Sequence, residues 1–382
     1  MQVSDLRVAL FSGNYAMTVD GANKALNRLV DYLLRQGTTV RVYSPTIANP
    51  PFEPKGELVS LPSVAIPGRS EYRVPTWLGS RVRADLEAFA PDIVHISSPD
   101  FAAREAARWA RDRSIPVVAS VHTRFETYPR YYGLGFLEPA LESWLRRLYR
   151  RCDALITPSP SMIETLREQR MNDDIGLWSR GVEHTIFNPG RRDSAWRREL
   201  GFADDDIVVG FLGRLVLEKG LDVFSEVVAE LGRRRVPHKV LVIGDGPARA
   251  TFAEKMKGAC FVGFQGGMNL GRAVASMDVL LNPSVTETFG NVTLEAMACG
   301  VPVVAADATG AASLVEDGVN GYLVPPQAIG DYADRIEAYV TDPHLRSAHG
   351  QAGADRAQAF EWDAINRAVA DTYVRVLGAR KR

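Results

Sequence analysis

The stretch that decides the fold is Thr286-Glu287-Thr288-Phe289-Gly290-Asn291-Val292-Thr293-Leu294-Glu295-Ala296-Met297-Ala298-Cys299-Gly300. The preceding apolar residues 279–283 predict a buried strand, and the residues after Gly290 predict a helix that ends at Gly300. A strand that enters a helix through a tight turn is typical of an anion site, because free N–H groups and the positive end of the helix dipole point at the ligand. We expect Glu287 and Glu295 to hold two separate parts of one ligand, with its anionic group between them.

Short apolar runs alternate with amphipathic segments on both sides of this stretch. This alternation predicts an α/β protein with parallel, doubly wound sheets. In the first half, the predicted strands are 8–12, 39–44, 93–97, 116–122 and 154–158, and the predicted helices include 22–36 and 101–113. The pattern then restarts, with strands at 207–213, 239–244, 279–281, 301–305 and 322–324 and a helix at 221–234.

The polar stretch 188–206 separates the two patterns. We therefore predict two Rossmann-like domains, 1–187 and 188–362, with a ligand cleft between them at the carboxyl ends of the strands.

Composition excludes several classes of protein. The chain of 382 residues has a net charge of −1, which argues against a nucleic-acid-binding protein. Its cysteines, Cys152, Cys260 and Cys299, have no metal-ligand spacing and predict buried thiols in a reducing compartment. The N-terminus has no signal-peptide pattern, and no apolar run reaches the ~20 residues that span a bilayer. We expect a soluble, cytoplasmic protein.

A second motif follows the first strand of the second half, Gly213-Arg214-Leu215-Val216-Leu217-Glu218-Lys219-Gly220. Together with Glu287 and Glu295, Arg214 and Lys219 resemble the donor site of the retaining, nucleotide-sugar-dependent glycosyltransferases of family 4, which have the GT-B fold of two Rossmann-like domains. In that family the arginine and the lysine bind the donor diphosphate. Two cations at this turn would stabilise the negative charge that a departing nucleoside diphosphate gains, each by roughly 3 kcal/mol.

The resemblance implies further roles in the second half of the chain. The residue matching Glu295 binds the ribose hydroxyls, and the residue matching Glu287 contacts hydroxyls of the donor sugar. The remaining donor-binding positions are the glycine turn at Gly244, the backbone that pairs with the base at Val262 and Phe264, and the backbone that lines the sugar and phosphate at Phe289, Gly290, Asn291 and Val292.

In the first half, the resemblance assigns the acceptor-binding domain. It implies that His122, at the end of a predicted strand, hydrogen-bonds the donor sugar and supports positive charge at the anomeric carbon, a role that does not require it to be a general base. It places Gly21 in the loop that contacts the acceptor and the phosphate, although Asp20 stands where many members have a second glycine. The family's last helix, here residues 363–382, packs back on the first domain.

The segment Trp178-Ser179-Arg180-Gly181-Val182-Glu183-His184-Thr185-Ile186-Phe187 resembles a subgroup that includes mannosyl- and sulfoquinovosyltransferases acting on lipids. Arg180 is predicted to reach the cleft. The subgroup implies a lipid or glycolipid acceptor. Basic and aromatic residues in the stretches 69–83 and 124–151 predict binding to an anionic membrane surface, in which case the protein would be peripheral on the cell membrane.

The expected reaction is transfer of a hexose, with GDP-mannose the favoured donor and UDP-glucose, UDP-glucuronate and UDP-sulfoquinovose the alternatives. An acidic sugar would need a cation such as Arg124 or Arg180. No cofactor and no essential metal are expected, because Arg214 and Lys219 supply positive charge and no Asp-x-Asp motif lies at a donor site. A nucleotide-sugar epimerase, a NAD(P) oxidoreductase and a non-catalytic sugar-nucleotide-binding protein are the alternative classes.

Overall fold

A computed structural model describes residues 2–17, 21–66, 69–308 and 310–380. The chain divides into two compact units. The first consists of Met1–Arg180 with Trp362–Arg382, and the second consists of Gly181–Glu361. The division falls earlier in the chain than the expected boundary between 187 and 188.

The first unit is built on a parallel sheet with the strand order β3-β2-β1-β6-β7-β8-β9, next to an antiparallel hairpin of β4 and β5. Strands such as β6 and β8 are buried along their whole length, since helices cover both faces of the sheet. The strands are β1 (Arg7–Phe11), β2 (Thr39–Ser44), β3 (Glu57–Ser60), β4 (Ser63–Ile66), β5 (Arg69–Pro75), β6 (Ile93–Ile96), β7 (Val117–Ser120), β8 (Ala154–Thr157) and β9 (Ile175–Leu177). The helices are α1 (Gly21–Arg35), α2 (Ser80–Phe89), α3 (Phe101–Asp112), α4 (Glu138–Tyr149) and α5 (Pro160–Glu168), with 3₁₀ turns at Val3–Asp5, Phe125–Tyr132 and Gly135–Leu137.

The second unit has a parallel sheet with the order β12-β11-β10-β13-β14-β15. Its apolar core likewise lies on both faces of the sheet. The strands are β10 (Val208–Leu212), β11 (Lys239–Ile243), β12 (Cys260–Gly263), β13 (Val279–Asn282), β14 (Val303–Ala306) and β15 (Gly321–Val324). The helices are α6 (Ser194–Glu199), α7 (Leu221–Arg233), α8 (Arg249–Lys255), α9 (Gly267–Ala275), α10 (Asn291–Ala298), α11 (Ile329–Thr341) and α12 (Pro343–Ala357), with 3₁₀ turns at Pro189–Arg191, Leu217–Lys219 and Ala311–Ser313.

The last helix, α13 (Trp362–Arg380), is part of the first unit. The Tyr373 hydroxyl lies 2.6 Å from Nδ1 of the buried His95 on β6, and Asn366 accepts a hydrogen bond from the Trp178 indole at 3.2 Å. Asp363 forms an ion pair with Arg35 on α1. The helix therefore supplies part of the core and of the buried polar network of this unit.

Across the described residues, no helix is both long enough and apolar enough to span a membrane.

Candidate active site

The centre of the candidate site in the second unit is an ion pair between the ends of two adjacent strands. Lys219 ends the 3₁₀ turn after β10, and its Nζ lies 2.7 Å from Oε1 of Glu287 in the loop after β13. Both side chains are largely buried, with 28% and 13% of their surfaces exposed. The structure thus brings together two of the four charged residues that the sequence predicts for the donor site.

The same two loops are also joined by a side-chain hydrogen bond and by a close backbone contact. Thr286 donates a hydrogen bond from its hydroxyl to the Glu218 carbonyl at 3.1 Å. Gly220, at φ +70°, approaches so closely that an added Cβ would lie 2.9 Å from the Pro283 carbonyl oxygen. The contact made by Thr286 could not be predicted from the sequence, because a threonine before a glutamate does not indicate which turn lies next to it.

Glu287 is followed by the start of α10, which Gly290 opens at φ +94°. Asn282 at the end of β13 donates a hydrogen bond to Thr293 Oγ1 at 3.1 Å, so strand and helix are fixed to each other. The first N–H groups of a helix have no intrahelical acceptor and attract anions. The turn therefore offers an anion site that begins three residues after Glu287 in the chain.

Four other predicted donor residues, Phe289, Asn291, Val292 and Glu295, lie just before α10 or on it. The Phe289 side chain is buried against Phe360, with 5.9 Å between ring centroids, so only its backbone is available to a ligand. Glu295 is half-buried on α10. Asn291 and Val292 begin the helix and are half-buried.

The ends of β10 and β11 meet through two glycines. An added Cβ on Gly244 would lie 1.9 Å from the carbonyl oxygen of Gly213, and the side chain of Arg214 is exposed next to this contact. At the end of β12, the Val262 carbonyl accepts a hydrogen bond from the Gln265 amide at 2.7 Å. Phe264 is 69% exposed. A nucleotide base that pairs with the Val262 backbone would share this carbonyl with the Gln265 amide or would displace that amide.

In the first unit, His122 lies just beyond β7 and is buried. Its Nδ1 is 2.6 Å from Nη2 of Arg180, and its ring meets the Trp178 ring edge-on at 5.0 Å. Burial, and then the charge of Arg180, holds the pKa of His122 well below its usual range. The imidazole is therefore neutral at physiological pH.

Arg180 itself is 4% exposed, and its Nη1 donates to the carbonyls of Trp178 and Ser179. The guanidinium thus bonds groups of the first unit, and its predicted reach into a ligand cleft stays a prediction. Arg124, the other cation predicted for an acidic sugar, forms an ion pair with the buried Glu126 at 2.8 Å.

The predicted acceptor loop is only partly covered by the structure. Gly21 begins α1, while residue 20 and its two predecessors lie outside the described residues. The contact assigned to Gly21 stays a prediction.

The part of the chain that the structure describes contains no cluster of side chains suited to bind a metal ion. No group of three or more His, Cys, Asp or Glu side chains there is placed to hold an ion. The metal-independent reaction stays a prediction that rests on Arg214 and Lys219.

Two protein-family models match successive parts of this chain. The model of Glycosyltransferase Family 4 matches residues 19–186, and the model of Glycosyl transferases group 1 matches residues 193–356. A GDP-mannose-dependent alpha-mannosyltransferase of Mycolicibacterium smegmatis is 31% identical over 98% of this chain and 99% of its own. The chain belongs to glycosyltransferase family 4. It is a glycosyltransferase.

A further relative of this family 4 enzyme and a solved structure of similar fold have names that describe other reactions. Sulfoquinovosyl transferase SQD2 of Arabidopsis thaliana is 29% identical over 94% of this chain and 71% of its own. The solved structure of sucrose-phosphate synthase from Thermosynechococcus elongatus is 22% identical, superimposes with a TM-score of 0.78, and is matched over 98% of this chain and 100% of its own. The family and the GT-B fold of two Rossmann-like domains, both expected from the sequence, are confirmed.

Proposed function

We propose that this glycosyltransferase transfers mannose from GDP-mannose to a hydroxyl of a lipid or glycolipid, with retention at the anomeric carbon. The observation that carries the proposal is the Lys219–Glu287 ion pair beside the opening turn of α10. It combines a cation and a helix N-terminus for a diphosphate with a carboxylate that accepts hydrogen bonds from sugar hydroxyls.

The proposed step breaks the bond between the anomeric carbon and the phosphate oxygen and forms a bond from that carbon to the acceptor oxygen on the same face. The acceptor proton moves to the departing phosphate. Lys219, Arg214 and the N–H groups that follow Gly290 stabilise the charge on the nucleoside diphosphate. A neutral His122 suits a site where positive charge develops on the sugar, because an imidazolium would repel it.

The choice of donor rests on the mannosyltransferase relatives, and the sulfoquinovosyl relative makes a UDP-sugar the alternative. In the structure both cations named for an acidic sugar already have close partners, Glu126 for Arg124 and His122 for Arg180. This arrangement favours a neutral hexose.

Calorimetric titration with GDP and UDP, first without metal and then with Mg²⁺, tests the donor. We expect GDP to bind without metal and more tightly than UDP. A preference for UDP would transfer the proposal to the UDP-sugars, a requirement for Mg²⁺ would overturn the metal-free site, and binding of neither nucleotide would contradict the donor site as a whole.

Glu295→Ala should weaken nucleotide binding about 10- to 100-fold, since hydrogen bonds from hydroxyls to a half-buried carboxylate would be lost. The same calorimetric titration measures the loss, with Glu254→Ala on the exposed part of α8 as the control. Unchanged GDP affinity in the Glu295 variant would show that the carboxylate does not hold the ribose.

For the acceptor, the structure favours the second of the two basic, aromatic stretches as a membrane contact. In the first stretch, Arg73 bonds Ser63 and Arg83 is paired with Glu105. The first stretch exposes Trp77 near Arg81 and Arg83, whereas the second exposes four large apolar side chains together with basic ones. They are Phe125, Leu134, Phe136, Leu137, Arg147, Arg150 and Arg151.

Phe136→Ser should lower binding to vesicles that contain anionic phosphatidylglycerol about tenfold, because Phe136 is 75% exposed and would be buried in the interface. Co-sedimentation measures the bound fraction, with neutral phosphatidylcholine vesicles in parallel. Phe101→Ser is the control, since Phe101 is 57% exposed but lies outside this stretch. Equal losses from both variants, or equal binding to both kinds of vesicle, would count against a membrane contact at residues 124–151.

A further inference from the structure

The contact between Arg180 and His122 determines which ring nitrogen of His122 carries the proton. A guanidinium has only N–H donors and no acceptor. Arg180 Nη2 therefore donates to His122 Nδ1 across 2.6 Å, and Nδ1 contributes its lone pair. A neutral imidazole whose Nδ1 accepts has its hydrogen on Nε2.

We propose that Arg180 is a positioning residue that keeps His122 in the neutral tautomer with hydrogen on Nε2, so that His122 is a hydrogen-bond donor to the donor sugar. The inference rests on the proposed function for the identity of the ligand, but the tautomer itself is a property of the free protein. It adds to the reaction a residue that acts through His122 rather than on the substrate.

The surroundings hold the guanidinium in place for this role. The carbonyls of Trp178 and Ser179 accept from Nη1, and the guanidinium carbon lies 5.1 Å from the centroid of the Trp178 ring. Trp178 is fully buried and bonded to Asn366 on α13. An arginine restrained on these sides has little freedom to rotate away from His122.

The His122 ring is restrained as well, and its surroundings disfavour protonation to imidazolium. The edge of its ring packs on Trp178, and the charged or titratable groups that act on it are Arg180 and His95. His95 is itself buried between Tyr373 and Ser120, and burial lowers its pKa to about 3, so it adds no charge. Of these two groups, Arg180 is therefore the one that is charged at neutral pH.

This arrangement has a chemical consequence for the reaction. With Nδ1 accepting from Arg180 and hydrogen on Nε2, His122 has no lone pair left to take a proton from the acceptor. The positive charge behind the ring also polarises the Nε2–H bond and strengthens it as a donor. His122 therefore orients the sugar, and the acceptor proton must leave by another route, such as the departing phosphate.

The test begins with the free full-length protein labelled with ¹⁵N on histidine. Long-range ¹H–¹⁵N correlation spectra distinguish a protonated ring nitrogen from an unprotonated one, and comparison with His122→Asn assigns the signals. We expect the chemical shift of an unprotonated nitrogen at Nδ1 and that of a protonated nitrogen at Nε2. Both shifts should stay constant from about pH 6 to 8, the range in which histidine usually titrates. A protonated Nδ1, or titration of the ring in this range, would overturn the proposal.

Two variants then test Arg180 directly. Arg180→Met keeps an apolar stem but has no donor, so we expect a mixture of His122 tautomers and a kcat lowered roughly 10- to 100-fold, with the KM for the donor changed less. Arg180→Lys keeps a charged donor and should retain the Nε2–H tautomer and more of the activity. An Nε2–H signal unchanged in Arg180→Met would contradict the role of Arg180.

Arg197→Met is the matched control for loss of a buried arginine. Arg197 is 2% exposed in the second unit and bonds Ser276, Asp278 and Asp206. This variant should be destabilised without a change in the His122 spectrum. If Arg180→Met does not fold, the wild-type protein and Arg180→Lys still test the proposal. A protonated Nδ1 in either spectrum would contradict it. Absence of GDP binding in the wild type would contradict the proposed function and leave the tautomer result standing.

Discussion

Lys219→Ala should lower kcat/KM for the donor by about 10²- to 10³-fold, the effect typical of removing one preorganised group that stabilises charge in the transition state. Two losses combine in this variant. The departing diphosphate loses a cation, and Glu287 loses its ion-pair partner at 2.7 Å. Steady-state kinetics with a donor identified by calorimetry measures the effect.

A double-mutant cycle with Glu287→Ala separates the two losses. If the residues act as a pair, the double variant should be much less impaired than the product of the two single effects. Lys255→Ala, an exposed lysine on α8, is the control for a general loss of positive charge from the second unit. An active Lys219→Ala enzyme, within about threefold of wild type, would show that another cation neutralises the diphosphate.

Gly220→Ala should destabilise the second unit by about 2–5 kcal/mol and lower kcat/KM at least tenfold. A left-handed φ costs a residue with a Cβ about 1–2 kcal/mol, and displacement of the Pro283 backbone adds about 1–3 kcal/mol. Because Lys219 and Glu287 lie on the two loops that meet at this contact, separating the loops would lengthen the ion pair between them.

Gly318→Ala is a close control for this change. Gly318 has almost the same φ, +73° against +70° for Gly220, but an added Cβ would meet no atom within 4 Å. The control should lose only about 1–2 kcal/mol of stability and leave donor turnover unchanged. Thermal unfolding and donor kinetics of both variants give the comparison. Equal effects in the two would show that backbone strain alone, and not the contact with Pro283, explains the Gly220 result.

Much of the fold follows from the sequence because the central strands of a parallel sheet are continuous apolar runs. The strand predicted at 39–44 coincides with β2, and β10, β11 and β13 are shifted only at their ends. The strand predicted at 116–122 is shorter, Val117–Ser120, and His122 lies beyond it. The strand predicted at 301–305 begins later, at Val303, after Pro302.

The strands that were not predicted lie at the edge of a sheet or in the separate hairpin. The strands β3 and β9 border the first sheet, and β4 and β5 form a separate hairpin. Edge strands are short and partly exposed, so polar residues interrupt the apolar pattern from which a strand is predicted. No local signal indicated them.

The candidate site shows the same difference between local and long-range information. Lys219 and Glu287 are each recognisable from their motifs, and the structure joins them across β10 and β13, which are neighbours in the sheet. The contact of Arg180 with His122 was not predicted, since the two residues are far apart in sequence and both follow strands of the first sheet. Sequence spacing does not indicate which strand ends meet.

The position of α13 also has a consequence for synthesis on the ribosome. The second unit is one continuous segment, Gly181–Glu361, whose contacts do not depend on α13, and all of it leaves the ribosome before α13 does. The first unit needs Tyr373 against His95 and Asn366 against Trp178, so its buried network is incomplete until the last helix emerges. We therefore expect the middle of the nascent chain to reach its final structure before the beginning does, the reverse of the usual N-terminal-first order of domain folding.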